Sequence, residues 1–388
     1  MKKIFSNLKK TIISINKKKN FSLHSPLINK EDFKYLQKTI LSTNVSSASN
    51  FTIDFEKKIS KFTGSKYVIA TNSGSSAILV AIQSIGLKPQ EEIFVPNLNY
   101  IASTNAVILS NMTPHFIDCE QNVPAIDIKK LENHIKKKCF FKRDRLINKK
   151  TKKFISAIIP THVFGNCNDL EKLIVLSKKY NLKIIEDASE ALGSFYKKKH
   201  LGTIGNIGVL SFNGNKIITT GGGGAILTNN KKIYNKALHL TKISRNTKIP
   251  WLYDYDGIGY NFRMPGINAS LGLSQLKKIK KILYLKKKIF KNYSNKFNNN
   301  DEIEILKPHH YCKSNYWLNN VRIKNLSIKN RDNIIKSLNN KKIQVRPVWK
   351  LMSKIKYLKK YPHADLNNSI KMEKELISLP SSPDLITR

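Results

Sequence analysis

Short apolar runs bounded by turn residues recur through the first two thirds of the chain, and the segments between them carry apolar residues at helical spacing. Residues 67–70, 92–95, 115–117, 155–159 and 183–186 read as buried strands, and 75–85, 102–109 and 170–180 as the helices that connect them. Upstream, 32–41 has the spacing of a short helix and 53–62 that of a second, closed by Gly64 as a C-cap. Repeated strand-helix units predict an α/β fold, a mostly parallel sheet covered by helices on both faces. From 268 to about 300 the rhythm gives way to one long lysine-rich helix, and 316–323, 328–338 and 343–345 form a smaller mixed set. The expected organisation is therefore an N-terminal arm with a short helix over 1–45, a large domain over 46–262 and a small C-terminal α+β domain over 263–388. The basic stretch 136–153 is expected to be a solvated loop or hairpin.

Composition changes this picture in one respect. Forty per cent of the 388 residues are hydrophobic, enough for a large core, but 69 basic residues face 26 acidic ones, a formal net charge of +43. Such a surplus could neutralise nucleic-acid phosphates. Its distribution argues otherwise, because lysines run from Lys9-Lys10 to Lys359-Lys360 among abundant Asn and Ile, the pattern of an A/T-biased genome, with no zinc finger, helix-turn-helix or stacking motif beside them. No apolar run approaches the ~18 residues that span a bilayer, and the first residues lack a signal-peptide core. Cys119, Cys139, Cys167 and Cys312 are too scattered for a zinc site or disulfide framework. The expectation is a cytoplasmic chain with neither nucleic-acid nor membrane partners and no metal.

Four segments at strand ends could carry chemistry, since open α/β sheets bind ligands there. Thr71-Asn72-Ser73-Gly74-Ser75-Ser76 precedes a helix whose N–H groups suit a phosphate, although Ser and Gly also simply cap helices. Glu186-Asp187-Ala188-Ser189-Glu190 sets carboxylates after an apolar strand: Asp187 could hold a protonated ring nitrogen, or the pair could be loop acids. Ser211-Phe212-Asn213-Gly214-Asn215-Lys216 leads into glycines 221 to 224, a context in which Lys216 could form a Schiff base with a carbonyl cofactor. Gly259-Tyr260-Asn261-Phe262-Arg263 lies at the expected domain junction, where a plain linker is the alternative.

In order and spacing these segments resemble the sugar-nucleotide aminotransferases of the DegT/StrS type, pyridoxal-phosphate enzymes of the aspartate-aminotransferase fold (fold type I). The resemblance extends to Pro96-Asn97-Leu98-Asn99-Tyr100, Pro160-Thr161-His162-Val163-Phe164-Gly165 and Ile267-Asn268-Ala269-Ser270-Leu271-Gly272, and so covers nearly the whole chain. It implies pyridoxal 5'-phosphate as cofactor, carried by Lys216, with Asp187 facing the pyridine nitrogen. Ser211 and the backbone around Gly74 and Ser75 would hold the phosphate, and Tyr100 would stack on the ring. Asn261 would reach the cofactor of a neighbouring subunit, making a homodimer with shared active sites. Glu190 would face the phenolic oxygen from a position that often holds Gln or His in this family, and a carboxylate there is repelled unless protonated. His162 would lie near the same ring edge or be structural.

Within the family, Ser42-Thr43-Asn44-Val45-Ser46-Ser47, the uninterrupted glycine run and Arg346-Pro347-Val348-Trp349 resemble the branch acting on UDP-linked 4-keto-6-deoxy-N-acetylhexosamines at C4 on the way to bacillosamine or legionaminic acid, with L-glutamate as amino donor. Arg346 would bind the substrate's anionic part or else form a strand edge. The alternative inside the family is GDP-perosamine synthesis. A pyridoxal-phosphate sugar dehydratase would carry histidine where this chain has Lys216, and a non-catalytic regulator would not need the Lys216 and Asp187 pair.

Overall fold

A computed structural model describes residues 2–15, 21–246, 249 and 251–387. Seven strands form the body of the large sheet: β1 (Tyr67–Thr71), β2 (Glu92–Pro96), β3 (Thr113–Ile117), β4 (Phe154–Ile158), β5 (Lys183–Asp187), β6 (Ile207–Ser211) and β7 (Gly224–Thr228). Their order is β1-β7-β6-β5-β4-β2-β3. Only β7 runs against its neighbours β1 and β6, and the pairs from β6 to β3 are parallel. Because helices cover both faces, the strands are apolar on both sides: β2, β3, β6 and β7 are buried at every position. Parallel strands place their carboxyl ends on one edge, so Asp187 closing β5 and Ser211 closing β6 come together there.

The basic stretch after residue 136 forms a hairpin, Cys139–Lys142 with Arg145–Asn148, attached to β4. A buried polar network fastens this edge. Glu92 of β2 bonds His115 Nδ1 of β3 at 2.8 Å and accepts from Asn148 at 3.0 Å and from Thr151, while His115 Nε2 meets His134 Nε2 of helix Ile128–Lys138 at 3.0 Å. Burial alone would raise the Glu92 carboxyl, but the His115 contact holds it below its ordinary range.

Gly64 does close its helix in the left-handed conformation, with φ of 78°. Two expectations change. The expected single long helix is two, Gly266–Lys277 and Ile279–Phe297, broken at Lys278, where ψ is −4°. And the expected arm begins as a helix, Lys2–Ile15, whose Ile4, Leu8 and Ile12 are buried one turn apart against Ile289 and Tyr293. That cluster also covers the four-stranded antiparallel sheet of Ile303–Ile305, Asn319–Ile323, Leu376–Leu379 and Arg346–Pro347. No helix among the described residues is long and apolar enough to cross a membrane.

Burial, with His115 and Lys138 close by, pushes His134 from the ordinary 6.5 down to about 4. Between those values the unfolded chain binds a proton that the folded chain refuses, so stability must fall as pH drops through this window. His134→Gln, which can still bond His115, should flatten the dependence of the urea midpoint on pH between about 6.5 and 4. An unchanged slope would show that His134 titrates freely in the fold.

Candidate active site

Three of the four strand-end segments singled out from the sequence surround one cavity of about 300 Å³ at the carboxyl edge of the sheet, lined by Gly74, Ser75, Glu190, Ser211 and Lys216 together with Tyr100 and Trp349. Its floor is made by close backbone approach. Helix Gly74–Ser84 starts directly against the end of β6, and a Cβ on Gly74 would lie 2.9 Å from Ser211 Cβ and 3.1 Å from its Oγ. Ser73 caps the helix by accepting from Ser76 N at 3.0 Å, which leaves the N–H groups of Gly74 and Ser75 free of that cap at the cavity wall. On the other side, a Cβ on Gly224 would lie 2.5 Å from the Ser73 carbonyl oxygen, so β7 also needs glycine where it passes this turn. Small residues here are thus a steric demand, and they expose helix-terminal donors that suit an anion.

Lys216 sits in the connection between β6 and β7. Its Nζ lies 3.4 Å from Glu190 Oε1 and 3.9 Å from the centre of the Trp317 ring. Glu190 is buried, and burial raises its carboxyl above the ordinary value against the opposing pull of Lys216 and of the Phe164 N–H, which donates to Oε2 at 2.8 Å. Phe164 adopts the left-handed conformation, φ 58°, to present that N–H. Its ring stacks on Trp349, 5.2 Å away, and Trp349 in turn meets the ring of Tyr100 at 6.4 Å. The cavity therefore has a wall of aromatic rings opposite the helix terminus.

Asp187 does not itself line the cavity but is bonded to Ser189, which does, and to Ser103, next to the lining residue Ala102. It is buried, accepts from Ser189 N at 3.1 Å and from the Ser103 hydroxyl, and its backbone is paired to Pro160 and His162 at 2.9 and 3.0 Å. Its neighbour Glu186 faces the opposite side of β5, as alternation in a strand requires, and there it anchors a turn by accepting from Gly202, Ile204 and Gly205 N.

Besides Asp187, three residues nominated from the sequence do not line the cavity. His162 is fully buried between Glu186 (3.0 Å) and Asn168 (3.3 Å), a pairing that occupies both ring nitrogens in holding β5 to the segment before helix Leu170–Lys179. Arg346 is exposed at a sheet edge, where its guanidinium donates to Asn339 Oδ1 and to the Val345 carbonyl, both at 3.1 Å. Asn261 is exposed and bridges Lys242, outside the cavity of its own chain. Conversely, Trp317 and Asn315 were not singled out. Asn315 Nδ2 donates to the carbonyls of Glu190 and Leu192 at 2.9 Å and its Oδ1 accepts Trp317 N, so it couples the loop after β5 to the tryptophan. Their one sequence signal was an Asn-x-Trp just before the strand Asn319–Ile323.

Residues 26–388 match the family model described as the DegT/DnrJ/EryC1/StrS aminotransferase family. The chain is 32% identical over 368 residues to a GDP-perosamine synthase of Escherichia coli O157:H7, covering 95% of this chain and 94% of that protein. It is 31% identical to a UDP-4-amino-4,6-dideoxy-N-acetyl-beta-L-altrosamine transaminase of Campylobacter jejuni, over 75% of this chain and 73% of that one. Among solved structures, a Helicobacter pylori aminotransferase involved in the biosynthesis of pseudoaminic acid superposes with a TM-score of 0.86 at 26% identity, covering 95% of each chain.

Proposed function

We propose that this chain, which belongs to the DegT/DnrJ/EryC1/StrS aminotransferase family, is a pyridoxal-phosphate-dependent sugar aminotransferase that installs an amino group at C4 of a nucleotide-linked 4-keto-6-deoxy sugar. The observation that carries the reading is the position of Lys216: a mostly buried amine in the same cavity as a free helix N-terminus and a serine hydroxyl. The residues fit the cofactor, because Gly74, Ser75 and Ser211 line one cavity in which a phosphate could meet the N–H groups of the first two and the hydroxyl of the third. Asp187, which accepts from Ser103 and Ser189, would be the partner for a protonated ring nitrogen, and Tyr100 and Trp349 would flank the ring.

Bound pyridoxal phosphate supplies the electron sink that lets an amino group change carbon. The chain's own work is to hold and to move protons. Lys216 Nζ, once free, would take the proton from the carbon bearing the amino group and return it to the carbon on the other side of that nitrogen. Glu190 contacts that amine at 3.4 Å, and burial raises its carboxyl above the ordinary value against the opposing pull of Lys216.

For the substrate we favour a UDP-linked 4-keto-6-deoxy-N-acetylhexosamine with L-glutamate as donor, in keeping with the 42–47 and 346–349 segments and the Campylobacter relative. GDP-4-keto-6-deoxymannose is the second reading, favoured by the broader match to the perosamine synthase. Either diphosphate would be drawn by a net charge of +43. We place the enzyme in the cytoplasm, where its four buried free thiols stay reduced, and keep 46–262 and 263–388 as its large and small units. Borohydride reduction of the cofactor-loaded protein should tag Lys216, and glutamate with a panel of UDP- and GDP-4-keto sugars should give one aminated product by mass spectrometry. A tag on a different lysine, or no product from any sugar, would contradict this reading.

We also propose a homodimer in which Asn261 serves the neighbour's site. It rests on the exposed apolar segment beside Asn261, where Trp251, Tyr253 and Ile258 are 82%, 76% and 87% exposed in the single chain. Mixing two inactive parents, Lys216→Ala and Asn261→Ala, should restore activity, because one heterodimer site then carries both defects and the other neither. Heterodimers that form and stay inactive would place Asn261 in its own subunit's site or outside it.

A further inference from the structure

Trp317 touches Lys216 from two directions. Its indole Nε1 donates to the carbonyl of Asn215, the residue before the lysine, at 2.7 Å, and its ring face lies 3.9 Å from Lys216 Nζ. The indole is itself fixed at both ends of its backbone. Its N–H is bonded by Asn315 Oδ1 at 2.9 Å, and its carbonyl accepts from Lys286 Nζ at 2.6 Å. Lys286 is fully buried and, among the described residues, makes no carboxylate ion pair; it bonds the Ser381 carbonyl as well, which ties Trp317 to the C-terminal segment. Filling space would require none of this. A buried indole needs one hydrogen bond and apolar neighbours, whereas here the ring plane is oriented under an amine.

We propose that Trp317 is a positioning residue for amine transfer: its ring face is the resting place of the free Lys216 ammonium, and its N–H fixes the peptide from which that side chain swings. The proposal rests on the reading of Lys216 given above. When the substrate's amine displaces the lysine, the released side chain must stay near the reacting carbon, and a mostly buried cation over an indole face is held there by the ring's quadrupole. The other charged and titratable groups facing this amine are few. Glu190 lies 3.4 Å away, with Asp187 behind it. His24, from the N-terminal segment, has neither ring nitrogen hydrogen-bonded, and burial together with the fields of Lys286 and Lys216 keeps it in the neutral form. Glu190 and Trp317 are thus the two groups that can hold the ammonium, one on each side.

The test is a double-mutant cycle on the cofactor-free chain, read by urea unfolding, with Lys216→Met, Trp317→Leu and the pair. A held ammonium couples the two positions: the double variant should retain a folding constant roughly threefold to tenfold above that expected from multiplying the two single effects. Trp317→Phe, which keeps a ring face, should show a clearly smaller coupling with Lys216→Met than Trp317→Leu does. Should Trp317→Leu fail to fold, Trp317→Met serves the same cycle. Additivity with both aliphatic and aromatic replacements would overturn the proposal. The borohydride tag is read separately, so a tag on another lysine would sink the assignment of Lys216 while leaving the coupling, and additivity with the tag in place would sink the role of Trp317 alone.

Discussion

The arrangement of this molecule depends on keeping one amine, Lys216 Nζ, mostly buried in a cavity without losing it to an inert ion pair. A buried ammonium needs a partner, and the partner at 3.4 Å, Glu190, is itself raised by burial, so neither charge fully satisfies the other. The fold supplies the remainder through geometry. Reversal of β7 between β1 and β6 creates the connection on which Lys216 is carried, and glycines at 74 and 224 let that connection lie against a helix N-terminus. The same packing gathers the end of β5, bearing Asp187, and the aromatic wall of Tyr100, Phe164, Trp349 and Trp317.

The charge of the chain takes a different meaning in this light. Nine of the 26 carboxylates are buried: Asp32, Glu91, Glu92, Asp118, Glu186, Asp187, Glu190, Glu373 and Glu375. Several of them are structural anchors. Glu92 holds a sheet edge, Glu186 collects three backbone N–H groups, and Asp118 caps helix Asn367–Glu375 through the N–H groups of Asn368 and Ser369. Most lysines face solvent, the buried Lys286 apart, at positions where substitution is nearly free, whereas carboxylates with buried donors cannot be exchanged without leaving those donors unpaired. A surface field that favours anionic substrates follows from this without a nucleic-acid partner being invoked.

Much of the fold was legible because buried parallel strands are written as unbroken apolar runs. Residues 67–70, 92–95 and 183–186 needed no tertiary information. The helix Lys2–Ile15 was missed although Ile4, Leu8 and Ile12 recur every four residues, because lysines, Ser6 and Asn7 dilute the stripe and its partner surface lies almost three hundred residues away. The break at Lys278 has no glycine or proline to announce it. At the site, residues next to glycine-rich turns were readable from local sequence, so Gly74, Ser75, Glu190, Ser211 and Lys216 were nominated and share one cavity. His162 stood next to the same strand end, but strand alternation pairs it with Glu186 on the far side. Trp317 escaped notice because its contact with Lys216 is made across a hundred residues, and nothing in an Asn-x-Trp segment says which ring will face which amine.

The central claim is that Asp187 acts through its charge on the cofactor ring while Lys216 moves the proton, and it is tested most directly by Asp187→Asn. That variant keeps the size of the side chain and can keep its contacts with Ser103 and Ser189. Steady-state turnover with the preferred 4-keto sugar should fall roughly a hundredfold or more, with borohydride still tagging Lys216. Turnover close to that of the unaltered enzyme would show Asp187 to be a structural acid at the end of β5 and would contradict the account.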